Sequence, residues 1–174
     1  ELVKLFKEGD NPNYAFNLIV REYQERLYWM IRRIVQDHDD TDDVLQNVFV
    51  KVWKGLPNFR EDAQLYTWIY RIASNESITF INKRKKDLFK SVDDPSVQIG
   101  EKSGFNDPSG EEIMAKLESA IATLPDKQRA VFHLKYFEDK KYDEISEILD
   151  TSVGALKASY HHAVKKIEVF MKTD

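Results

Sequence analysis

Cysteine is absent from this 174-residue chain, so neither disulfides nor thiolate metal sites contribute to its fold or chemistry, and a reducing compartment is permitted. Glycine and proline are scarce, at six and five residues, and so little punctuation favours long helices over a many-stranded sheet. No apolar run reaches the roughly 20 residues that a membrane-spanning helix needs, and no signal peptide shows at the start. The expectation is a cytoplasmic protein without membrane insertion, although the chain opens at Glu1 rather than at a methionine, which leaves an upstream signal open. A glycine-rich phosphate loop is also missing, and no candidate nucleophile has a base beside it in sequence. The carboxylates are plentiful but sit in solvated runs, which argues against an enzyme and against a cofactor. The adjacent pair His161 and His162 would point about 100° apart on a helix, so the two cannot serve one metal together. With His38 and His133 far off in sequence, no metal site is expected.

The 42% hydrophobic content is enough to fill a core, and its spacing is helical. Phe16, Ile19, Tyr23, Leu27, Met30, Ile31 and Ile34 recur at steps of three and four, predicting a helix over residues 14–36 whose opposite face, with Arg21, Glu25, Arg32 and Arg33, is wet. The aspartate-rich run after it predicts a break and a cap, at Asp40 or Thr41, for a second helix over residues 42–54 that buries Leu45, Val48, Phe49 and Val52. Gly55 to Asn58 interrupts that helix. A third restarts near Leu65, with Trp68, Ile69, Ile72 and Ala73 inward and Tyr66, Tyr70, Arg71, Asn75 and Thr79 outside that stripe.

Periodicity then fails across a Ser- and Asp-rich segment, read as a flexible acidic linker over residues 89–110. Helices resume beyond it, the last two over residues 142–149 and 152–171. The expected fold class is all-α, with two small helical domains, residues 1–88 and 111–174, and a helix-turn-helix in the second.

Formal net charge is −4, which at first argues against a nucleic-acid partner, but its distribution decides otherwise. Between residues 66 and 90, Arg71, Lys83, Arg84, Lys85, Lys86 and Lys90 stand against only Glu76 and Asp87. Aromatics interleave with these cations: Phe59, Tyr66, Trp68 and Tyr70. Basic and aromatic side chains together suit a single strand, through stacking and backbone neutralisation. Trp68 reads as core, whereas Phe59 and Tyr66 fit either a core or a base-contacting role. In the second domain, Ile145, Leu149, Val153 and Leu156 fall where two helices pack across a short turn at Asp150 and Thr151, as in a helix-turn-helix. Its second helix offers Lys157, His161, His162 and Lys165, with Ser152 or Thr151 at the cap near a phosphate. Ser146 and Asp150 replace the usual small alanine and turn glycine, and an ordinary amphipathic hairpin with a solvated lysine face is the competing reading.

Taken together, the segments DDVLQNVFVKVW, FREDAQLYTWIYRIASN and LPDKQRAVFHLKYFEDKKYDEISEIL, followed by a helix carrying GALK, resemble a bacterial sigma factor of the extracytoplasmic-function class over nearly the whole chain. The resemblance implies a protein that binds core RNA polymerase and directs it to promoter DNA, both duplex and melted, with an anti-sigma factor as a further partner. It implies that Asp42, Asp43 and Gln46 lie on the helix that meets the clamp coiled coil of the largest catalytic polymerase subunit, with Asn47 where the family usually carries an acid. It further implies that the loop of Asn58, Phe59, Arg60, Glu61, Asp62, Ala63 and Gln64 receives a base flipped out of the minus-ten element. Arg71, Asn75 and Thr79 match positions along the melted strand, Thr79 replacing a more common amide. Lys157, Ala158, His161 and His162 match recognition-helix positions for the minus-thirty-five element, and the acidic linker would run towards the RNA exit path. Two other functions compete: a helix-turn-helix regulator whose first domain is a sensor or dimerisation module, and a helical adaptor that binds protein alone. A sensor needs no acidic helix followed by an aromatic and basic face, and that segment favours the sigma factor.

Overall fold

A computed structural model describes residues 1–90 and 110–173; most of the segment read as a linker, residues 91–109, lies outside the described residues. Four helices precede it and four follow, and no strand occurs among the described residues. In the first half, α1 (Leu2–Glu8), α2 (Pro12–Val35), α3 (His38–Gly55) and α4 (Leu65–Lys90) pack around one core. In the second, α5 (Gly110–Ala122), α6 (Asp126–Phe132), α7 (Tyr142–Leu149) and α8 (Val153–Lys172) follow, α5, α6 and α7 each packing on α8, with a π-helical turn His133–Phe137 extending α6.

Helix boundaries follow local chemistry. Asn11 caps α2 by accepting the Tyr14 N–H at 3.0 Å, and Pro12 takes the first-turn position where its missing N–H costs nothing. At the other end Gln36 adopts φ 69°, closing the helix in a left-handed turn. The cap of α3 is Asp37, whose Oδ1 accepts from the Asp40 N–H at 3.0 Å. The helix therefore starts at His38, four residues before the expected start, and neither Asp40 nor Thr41 is the cap. The aspartates at 39 and 40 lie inside the first turn, where they complement the helix dipole instead of breaking the helix.

The predicted stripe on α2 is buried at Ile19, Leu27, Met30, Ile31 and Ile34 and meets Val44, Val48 and Val52 of α3 and Ile69 and Ala73 of α4. That apolar cluster does not stop at the domain boundary. It continues into Ala130, Val131, Leu134, Ile145, Ile148 and Leu156 of the second half, while a smaller cluster of Ala120, Ile121, Leu124, Phe132, Ala163 and Ile167 holds α5, α6 and α8 together. The two halves are docked, α7 lying against α4 and α6 against α2.

Docking overturns two expectations. Arg33, expected on the wet face of α2, is 8% exposed; Tyr70, expected outside the buried stripe of α4, is 1% exposed. Arg33 is covered by the second domain. Tyr70 stands in the shared core beside Arg26 and Glu138, and burial pushes its phenol well above the ordinary tyrosine value.

Candidate polymerase and nucleic-acid interfaces

With Thr41, Val44 and Val48 buried, helical geometry turns Asp42, Asp43, Gln46 and Asn47 to solvent, and all four are exposed. The pairs 42/46 and 43/47 are one turn apart, so the residues form a single polar patch. Asp43, Gln46 and Asn47 line a groove of about 730 Å³ whose far wall is the end of α4, with Phe80, Lys83, Arg84 and Asp87. Arg84 crosses this groove to pair with Asp40. The acidic patch is thus flanked by two cations from α4, a contact that sequence spacing does not reveal.

After α3 the chain makes a 3₁₀ turn, Leu56–Asn58, and then the irregular loop that leads into α4. Gly55 is required here by close approach: a methyl group at this position would stand 2.7 Å from the Trp68 indole. Trp68 in turn lies against Phe59, ring centroids 4.9 Å apart. Phe59 is therefore a core side chain that anchors the loop, buried at its base. Asn58, Arg60, Glu61, Asp62 and Gln64 are exposed and Ala63 is half-buried. Glu61 carries φ 57°, an uncommon left-handed conformation for a non-glycine residue. The loop forms one side of a cleft of about 720 Å³, which also takes in Leu2 and Val3 of α1, Tyr66 and Thr67 of α4, and Glu144 and Glu147 of α7.

Along α4, Arg71, Asn75, Thr79 and Lys83 recur every four residues and are all exposed, forming one polar stripe that leads away from the loop. Lys86 is exposed as well, while Lys85 lies 3.8 Å from Asp126 of the second domain. The upper part of this stripe is not free. Arg71 donates from Nε and Nη2 to the Glu147 carbonyl of α7, at 2.8 and 2.5 Å. The Tyr66 hydroxyl donates to the Glu144 carboxylate, and Lys140 lies over the Tyr66 ring, 4.1 Å from its centroid. The beginning of the expected strand-binding face is covered by the second domain.

The helix-turn-helix takes the expected form. Asp150 closes α7 in the left-handed conformation, φ 49° and ψ 50°, as the short polar side chain permits. Ser152, and not Thr151, caps α8, accepting the Ala155 N–H at 3.3 Å. Ile145, Ile148 and Leu156 are buried between the helices, while Leu149 and Val153 are half-buried. On the outer face of α8, Ser152, Lys157, Ala158, His161, His162 and Lys165 are all exposed. The two histidine rings lie 6.0 Å apart and 60° to one another, and no group of potential metal ligands gathers among the described residues.

A buried polar cluster, unmarked in the sequence, ties the halves together. Arg33 forks onto Glu118 Oε1 at 3.0 and 2.7 Å and donates from Nη1 to His133 Nδ1 at 3.2 Å. Because arginine can only donate, Nδ1 must be the unprotonated, accepting nitrogen, and His133 is held neutral. Burial lowers the His133 pKa, the nearby Arg33 lowers it further, and Glu138, with Oε1 3.7 Å from Nε2, opposes both. Glu138 also accepts from Arg26 at 3.2 and 2.5 Å. Burial pushes the Glu138 carboxyl up, but His133 and Arg26 outweigh it and bring it down to about 2. Arg129 completes the seam, donating at 2.7 Å to the Ile34 carbonyl at the end of α2. No helix among the described residues is long and apolar enough to cross a membrane.

Residues 19–87 match the Sigma-70 region 2 family and residues 114–167 match Sigma-70 region 4. The chain is 30% identical to RNA polymerase sigma-H factor of Pseudomonas aeruginosa over 97% of its own length and 91% of that protein. It is likewise 30% identical to ECF RNA polymerase sigma-E factor of Escherichia coli, over 96% and 91%. Two solved structures share the fold: CnrH in complex with the cytosolic domain of CnrY (TM-score 0.70, 22% identity, 99% of this chain and 96% of that one) and the sigma factor RpoE in complex with the anti-sigma factor NepR from Bartonella quintana (TM-score 0.73, 20% identity, 91% and 98%). With two sigma-70 regions in order on an all-helical frame and such relatives along almost its whole length, the chain belongs to the extracytoplasmic-function class of the sigma-70 family of RNA polymerase sigma factors.

Proposed function

We propose that this sigma factor divides its work among three surfaces, acting by binding and not by catalysis, in the cytoplasm where core RNA polymerase operates. The patch Asp42, Asp43, Gln46 and Asn47 docks on the polymerase clamp. The loop from Asn58 to Gln64, with Tyr66, receives an unpaired base of the minus-ten element, and the stripe Arg71, Asn75, Thr79 and Lys83 with the following cations tracks the opened strand. Unstacking one base costs a few kcal/mol, which a fitted pocket can return. The outer face of α8 reads the minus-thirty-five duplex in the major groove, with Ser152 near a phosphate and Lys157, Ala158, His161, His162 and Lys165 towards the groove.

The single observation that carries this reading is the polar stripe Arg71–Asn75–Thr79–Lys83, its members one helical turn apart along α4, beginning at the residue that α7 covers and running away from the loop. Because α7 covers Arg71 and Tyr66, the docked chain cannot present that stripe in full, so polymerase binding must part the two domains before the strand is engaged. An anti-sigma protein that stabilises the docked arrangement is the partner expected in the off state. Pull-down with core polymerase followed by run-off transcription from genomic promoter fragments tests the proposal. It predicts stimulated initiation from a restricted set of fragments; no stimulation from any of them would overturn it.

A further inference from the structure

Helix α1 lies wholly outside the segment that matches region 2, which begins at residue 19, yet it is built into the cleft. Phe6 is buried and sets its ring edge-on against Trp53 of α3, centroids 5.2 Å apart. Phe16 of α2 meets the same indole at 5.0 Å, so α1 is fastened to the end of the helix from which the loop departs. The first turn of α1 then supplies Leu2 and Val3 to the lining of the cleft, which they share with Gln64 and Tyr66. At its last turn, Lys7 reaches across to the loop and its Nζ donates to the Phe59 carbonyl at 2.5 Å.

That bond matters because the loop has few other ties. Its backbone is joined to the flanking elements by Phe59 N–H to Leu56 O at 3.2 Å and Trp68 N–H to Gln64 O at 3.2 Å. Among the described residues, Lys7 is the side chain that hydrogen-bonds the loop backbone. Phe59 fixes where the loop begins by packing, and Lys7 fixes how its peptide is turned, immediately ahead of Arg60 and the left-handed Glu61. A site that discriminates bases must hold its polar groups to well within an ångström, which depends on such supporting contacts.

We propose that α1 forms part of the base-reading pocket and that Lys7 is a positioning residue for it, orienting the loop Asn58–Gln64 so that one unpaired nucleobase is selected over the others. Lys7 itself touches no base; it acts through the Phe59 carbonyl. This rests on the reading of the loop as the receiver of an unpaired base. Its distinguishing consequence is a change in selectivity at one base, leaving overall affinity in place.

The test uses the full chain assembled with core polymerase and forked DNA whose unpaired non-template strand is randomised, with bound molecules sequenced. Lys7→Met keeps the apolar stem and removes the donor, Lys7→Arg keeps a donor, and Lys4→Met alters an outward lysine of the same helix that pairs with Glu8 one turn on. Lys7→Met should relax the preference at one unpaired position by about five-fold, the worth of one net hydrogen bond, with the other positions and polymerase affinity unchanged. Lys7→Arg should restore most of that preference and Lys4→Met should alter nothing. A Lys7→Met profile that superimposes on the unaltered protein, or that falls evenly at every position, overturns the positioning role while leaving the loop assignment intact. An unaltered protein with no preference at any unpaired position overturns the loop assignment, and the role of Lys7 with it.

Discussion

Arg33 and His133 show how one pair of side chains couples docking to protons. The bond from Arg33 requires an unprotonated Nδ1, so the docked state refuses a proton that a solvated imidazole accepts near its ordinary value. A lowered pKa means that docking free energy is fully present above that ordinary value and declines as pH falls below it, because the undocked state then binds the extra proton. Glu138 has the same sign over a lower window, its contribution being lost between the ordinary glutamate range and about 2. Fluorescence transfer between labels on the two domains should therefore weaken as pH drops from 7.5 to 5.5, and His133→Gln should flatten that dependence; an equally steep response in the variant would contradict the coupling. Arg33→Ala leaves His133 and Glu118 without their donor and should lower stability by about 1–3 kcal/mol in urea unfolding. None of this was legible from the α2 pattern. Periodicity identifies the stripe facing the nearest neighbours, and Arg33 sits on the face that only a second domain, distant in sequence, could cover.

The helices themselves were far more legible, since apolar spacing and caps are local. The stripe of α2, the interruption at Gly55 and the pair α7–α8 follow from steps of three and four residues and from turn chemistry. Spacing does not single out the cap of α3, because a run of five aspartates among seven residues offers several equivalent oxygens, and only backbone geometry selects Asp37. Asp37→Ala should cost about 1 kcal/mol by thermal unfolding, whereas Asp39→Ala should be near neutral. At the turn before α8, Asp150→Val places a branched side chain at φ 49° and should cost about 1–2 kcal/mol, weakening duplex binding through a displaced α8 while leaving polymerase binding unchanged. The candidates on α3 rest on the family resemblance, and those on α8 on the helix-turn-helix pattern together with it. Phe59 and Tyr66 could not be assigned that way. Whether an aromatic beside a loop is core or free depends on partners such as Trp68, nine residues on, and Glu144, in the other domain.

At the scale of the whole molecule, contacts between the two domains occupy groups that the proposed function assigns to DNA. Arg71 spends its donors on a backbone carbonyl of α7, and Tyr66 is held between Glu144 and Lys140. Loosening the seam far from these residues should then expose them. The double variant Arg26→Ala, Arg33→Ala, which touches neither the stripe nor the loop, should bind a labelled single-stranded oligonucleotide several-fold more tightly than the unaltered chain in the absence of polymerase. The most direct test of the division of labour pairs core-polymerase affinity with promoter opening, read by permanganate reactivity of unpaired thymines, in Arg71→Ala and Asn75→Ala. Both variants should hold polymerase as the unaltered chain does and lose most opening; equal loss of affinity and opening, or full opening in both, would contradict the account.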